Sequence, residues 1–177
     1  MTWTSYRNRG ETLRLVTDAA DARQDGEIPR DVAGFAEAFA DDADLLGALL
    51  LRWYTRLAGR IEREILIDPH DLPRAVVTAW RGTAEEQPGI RAILDRYAAL
   101  AADGELGADL ALAFAKATAK ERTMLALMAG LASGPGAATE AVGARLEEEA
   151  RSAVRIDRVS TPARLSLIDR LKAALAA

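Results

Sequence analysis

Cysteine is missing from the chain. Its absence excludes disulfides, a thiolate zinc site and a cysteine nucleophile, and removes the usual mark of an oxidising compartment. Histidine is almost missing too: His70 stands alone, with no glutamate three residues before it. A ferritin-like di-iron centre needs two Glu-x-x-His pairs, and zinc sites draw on cysteine and histidine, so neither a metal nor a cofactor is expected. A Ser-His-Asp triad would have to use the same histidine, and none of Ser5, Ser133, Ser152, Ser160 or Ser166 lies in a G-x-S-x-G elbow. His70 sits in Asp68-Pro69-His70-Asp71, which reads as an exposed turn leading into a helix.

Long apolar runs are lacking as well. One apolar run, Leu45 to Leu51, reaches only seven residues before Arg52 interrupts it, whereas a bilayer-spanning helix needs about 20. The opening MTWTSYRNRGE has no apolar core of a secretion signal, so a soluble cytoplasmic protein without membrane contacts is expected. There is no basic excess: 23 Lys and Arg face 27 Asp and Glu, for a net charge of −4. A nucleic-acid partner would call for a basic footprint and is not expected. Twenty of the basic residues are arginine and alanine is abundant, the bias of a high-GC bacterial genome, so arginine count alone signals little.

What the chain does have is the helical period, broken at Gly and Pro. At 177 residues the length suits a single domain, residues 1–177, able to bury about 70 % of its unfolded surface. Apolar spacing predicts all-α architecture: a bundle of about eight helices built around two long ones, at about 45–66 and 106–132. The shorter helices are expected at 4–23, after Asp31, from Asp71, from Pro88 to a stop at Gly104, at 137–154, and at 162–176. The last, within residues 160–177, would be a peripheral C-terminal helix. VRIDRV (154–159) alternates like a strand, but with no partner strand it is read as irregular or helical. Gly134-Pro135-Gly136-Ala137-Ala138-Thr139 outlines a dinucleotide loop, yet a helix precedes it and the third glycine is absent, so a helix-to-helix turn is expected.

RWYTRLAGRIER (52–63) places Arg52, Arg56, Arg60 and Arg63 on one edge of the first long helix. At about 100° per residue they fall within about 80° of one another, bordering an apolar arc that includes Trp53, Leu57 and Ile61. Glu64 lies at the same border, four residues after Arg60, where an intrahelical pair can form. Leu45, Leu49 and Leu51 fall outside the apolar arc, so the start of this helix should be surrounded by protein, within the fold or in a dimer. On the second long helix Glu121 falls among Leu110, Phe114, Ala117, Met124, Leu125 and Met128. A carboxylate there needs a partner or a proton, and Arg56 or Arg60 is the expected partner. Glu147 and Arg151 form an i, i+4 pair expected on a solvated face.

Two functional expectations follow. The first is a non-catalytic interaction or regulatory module acting through protein contacts, with a homodimer among its forms. The second is a helical bundle that binds a small, anionic molecule, or acts on one, in a pocket formed by Glu121, Glu64, Arg56 and Arg60.

Overall fold

The computed structural model describes residues 3–160, with the side chains of residues 8–152, and every regular element among them is helical. The helices are α1 (Trp3–Arg23), α2 (Phe35–Ala38), α3 (Asp42–Ile67), α4 (Leu72–Glu86), α5 (Pro88–Ala102), α6 (Ala108–Met128) and α7 (Ala137–Ser160). The eighth helix expected at 162–176 lies outside the described residues. No helix among the described residues is long and apolar enough to cross a membrane.

Local chemistry explains most of the boundaries. The Asp41 carboxylate accepts the Asp44 N–H at 2.8 Å and the Asp71 carboxylate accepts the Arg74 N–H at 3.1 Å, capping α3 and α4. Proline stands in the first turns of α4 and α5, where a missing N–H costs nothing. Gly104 (φ 75°) and Gly130 (φ 67°) end α5 and α6 in the left-handed conformation. Each is followed by a bond from the next N–H to a carbonyl five residues back, Glu105 to Leu100 and Leu131 to Ala126. That stop at Gly130 closes α6 at Met128 rather than at 132. The second-longest helix is therefore α7, because VRIDRV continues it to Ser160. The helix expected after Asp31 shrinks to the four residues of α2, entered through Gly34 at φ 79°.

Packing also departs from a pair of long helices crossing at the centre. α3 packs most extensively on α4 and α6 on α7, while α1 lies on α5; α3 and α6 touch over a shorter stretch. One apolar cluster joins these pairs, with Leu46, Trp53, Leu57 and Ile61 from α3, Val76 and Trp80 from α4, and Ile90, Ile93 and Leu94 from α5. Three close approaches hold the arrangement. A Cβ at Gly89 would strike the α1 backbone at Ala20, one at Gly143 the α6 backbone at Arg122, and one at Gly82 the Arg60 guanidinium. The Asp21 carboxylate adds a bond from the Gly89 N–H at 2.8 Å, latching the end of α1 to the start of α5.

Candidate functional site

Glu121 is the most demanding group in the interior, because its side chain is only 13 % exposed. Its partner is not Arg56 or Arg60. Trp53 Nε1 donates to Oε2 at 3.0 Å and Trp80 Nε1 donates to Oε1 at 2.9 Å. The two indoles meet edge to face, centroids 5.7 Å apart. Arg91, from α5, stands 3.9 Å from the carboxylate and spreads its guanidinium 4.7 Å above the Trp53 ring. The expected pairing fails because the arginine edge of α3 faces α4, not α6. Arg56 and Arg60 both turn to Glu86 at the end of α4, with bonds of 3.0 Å from Arg56 Nε and 3.2 Å from Arg60 Nη1. A buried indole N–H seeks an acceptor, and that need was the available signal for Glu121.

The charge network continues across three helices. Arg91 bonds Asp95 at 2.8 Å; Arg151 bonds Asp95 twice, at 2.9 and 2.8 Å, and lies 4.8 Å from the Trp80 ring. Arg151 also reaches Glu147 at 2.8 Å, and Arg122 joins Glu147 at 3.0 Å. The Glu147–Arg151 pair expected on a solvated face therefore exists, but it is half-buried between α5, α6 and α7. Burial pushes the Asp95 carboxyl up, yet the bonds and charges of Arg151 and Arg91 prevail and hold it below the usual range. Glu147 follows the same course through Arg151 and Arg122. Burial likewise opposes the Arg151 charge, and its two carboxylates overcome it, raising its pKa well above normal. Three arginines face three carboxylates, so the cluster is electrically balanced. Such a network fixes helix register more surely than it adds stability.

Of the four residues expected to share a pocket, Arg56, Arg60 and Glu64 lie together while Glu121 stands apart with the indoles. Glu121 borders a cavity of ≈ 160 Å³ between α3 and α6, beside Tyr54 and Lys120. Arg56 lines a different and larger groove, and Arg60 lies across Gly82 with Glu64 at 3.9 Å, the expected intrahelical pair. His70 is exposed in the α3–α4 turn. Thr139 Oγ1 donates to the Gly134 carbonyl at 2.6 Å, so the glycine-rich segment is a helix-to-helix turn. Among the described residues no group of three His, Asp or Glu side chains is placed to hold a metal ion.

The groove, ≈ 1020 Å³, runs between α1 and α3. Arg9, Gly10 and Leu13 form its α1 wall; Ala43, Gly47, Ala48, Leu51, Thr55 and Gly59 form its α3 floor; Glu86 and Gln87 complete it. Leu45 and Leu49 are buried as expected, but Leu51 is 67 % exposed and faces this groove instead of protein. Arg52, Arg56 and Arg63 stand along its rim. Arg9 is clasped by Asp44 through bonds of 2.8 and 2.7 Å, and those bonds are the main reason the Asp44 carboxyl is held below its usual range. Glu86 is likewise held low, first by the Arg56 bond and further by the charges of Arg56, Arg60 and Arg63. Arg52 and Arg63 themselves make no hydrogen bond or ion pair among the described residues. Arg52, Arg56 and Arg63 thus border an open groove, Arg60 turns to Glu86, and the buried carboxylate takes none of the four. No family model, curated protein or solved structure matches the chain.

Proposed function

We propose that the protein is a non-catalytic interaction module that holds a partner protein in the groove between α1 and α3. The observation that carries this reading is the groove itself: a floor of small and apolar residues, an exposed leucine, and a rim of arginines of which two make no hydrogen bond or ion pair among the described residues. An exposed apolar patch with a polar rim is the usual form of a protein-contact site. The interior charges point the other way. Both oxygens of Glu121 are engaged by indole donors, which is the state of a structural carboxylate and a poor starting point for a general base. The competing reading, a small anionic molecule held by Glu121, Glu64, Arg56 and Arg60, has less support because Glu121 and Arg56 border different cavities.

The test uses the tagged full chain and its Gly59→Phe variant, in which a side chain grows from the groove floor where a Cβ meets nothing within 4 Å. A protein retained from the source cells by the unaltered chain and lost by the variant is the expected result. Retention that ignores the variant, or none at all, would refute the reading. Light scattering on both chains shows whether the groove holds a second copy.

A further inference from the structure

Resting on that reading of the groove, we infer that its occupant is an acidic amphipathic α-helix of a partner protein. The first argument comes from glycine. Six glycines lie within helices other than at loop caps, and they divide cleanly. At Gly82, Gly89 and Gly143 a Cβ would collide with a guanidinium or a neighbouring backbone, so the fold requires them. At Gly10, Gly47 and Gly59 a Cβ would meet nothing within 4 Å, and these three all line the groove. Glycine inside a helix carries an entropic cost that alanine avoids. The described chain offers no packing reason to bear it at these positions. A helix laid along α3 does, since small residues let two helix axes approach closely.

Length and charge fit the same occupant. The floor from Ala43 to Arg63 spans about 30 Å, or about 20 residues of a second helix. Four arginines on the groove face two acids, Asp44 and Glu86, an excess of two positive charges in a chain of net charge −4. Arg52 and Arg63, eleven residues apart, stand about 16 Å from each other along the axis, ready for carboxylates three turns apart on a partner. Gln87 is 8 % exposed where it borders the groove, and its Oε1 has no hydrogen-bond partner among the described residues. A second copy would bring the same basic rim against this one. The chain's own residues 161–177 carry Arg164, Arg170 and Lys172 against Asp169 alone, the wrong sign for this rim. The mode is helix-in-groove recognition, with apolar anchors at i, i+3, i+4 and i+7 and acids beside them.

The experiment displays a library of 20-residue helical peptides, unbiased in charge, and selects it on the full chain with the Gly59→Phe chain as counter-selection. Enriched peptides should be net acidic with apolar residues at helical spacing. The tightest of them should lose at least tenfold in affinity to the double variant Arg52→Glu, Arg63→Glu, two exposed positions that make no hydrogen bond or ion pair among the described residues. Enrichment of neutral or basic peptides, the absence of groove-dependent enrichment, or an unchanged affinity in the double variant would overturn the inference. Groove-dependent capture of a non-acidic partner from cells would overturn it too, while leaving the interaction reading intact. Capture that ignores Gly59→Phe removes that reading as well.

Discussion

Glu121→Gln is the substitution with the sharpest consequence. Glutamine has the shape of glutamate, so no cavity opens. What changes is that one of two acceptor oxygens becomes an amide NH2, set against the N–H of either Trp53, 3.0 Å away, or Trp80, 2.9 Å away. One buried indole loses its acceptor and faces a second donor, a cost of about 1–3 kcal/mol. Arg91 also loses a counter-charge. The full penalty for stranding a buried arginine is about 3–5 kcal/mol, but here the contact is 3.9 Å and Arg91 keeps Asp95 at 2.8 Å, so about 1 kcal/mol is a fair share. The expected loss is about 2–4 kcal/mol, or roughly 4–16 °C in Tm for a chain of this size, measured by thermal denaturation followed by circular dichroism. Adding Trp80→Phe should cost less in the Gln background than in the unaltered protein, because the conflicting N–H is then gone. A Tm that stays within a degree or rises would refute this reasoning. It would mark the carboxylate as strained and kept for chemistry.

The helical glycines predict opposite signs from the same substitution. Gly59→Ala should raise stability by about 0.5–1 kcal/mol, whereas Gly143→Ala, whose Cβ falls on the Arg122 backbone, should lower it by about 1–3 kcal/mol; urea midpoints compare them. Gln87→Leu removes an unpaired buried acceptor and should leave stability equal or up to about 1 kcal/mol higher, and a clear loss would show that the amide has a partner. Asp95 and Glu147 are held below the usual carboxylate range, so folding favours their ionised forms. Their contribution is complete above the unfolded values of about 4 and is lost as pH falls below them. The urea midpoint should therefore be level from neutral pH towards 5 and drop in stronger acid, and Asp95→Asn should flatten that drop.

Helices and caps were legible in the sequence because they are local. Asp71, Pro88 and Gly104 each act within a few residues of where they stand, and the apolar spacing of Trp53, Leu57 and Ile61 names a buried face without naming what buries it. The same limit explains the error at Glu121. Helix angles showed a carboxylate on an apolar face, but the choice between arginines on α3 and indoles plus Arg91 depends on which helix lies opposite. Arg91 was hidden among twenty arginines, although its position beside Ile90 and Leu94, four residues before Asp95, was a signal of half-burial. Residues 154–159 were ambiguous because a six-residue stretch with alternating charges satisfies both periods. The groove was not legible at all. Gly10, Gly47 and Gly59 look like Gly82, Gly89 and Gly143 until a neighbour's distance separates them.

The attachment of α1 has a mechanical consequence. This helix lies on α5, anchored where Gly89 meets Ala20 and Asp21, and the Arg9–Asp44 clasp ties its other end to the start of α3. Arg9 and Ala20, eleven positions apart, mark the ends of a lever about 16 Å long. A tilt of about 5° at the anchor would move Arg9 by about 1.4 Å, as much as separates a bonded from a broken ion pair. Such a tilt would change the width of the groove from a point that contributes no residue to it, and a cut at the clasp would loosen one wall while the core beneath stays assembled.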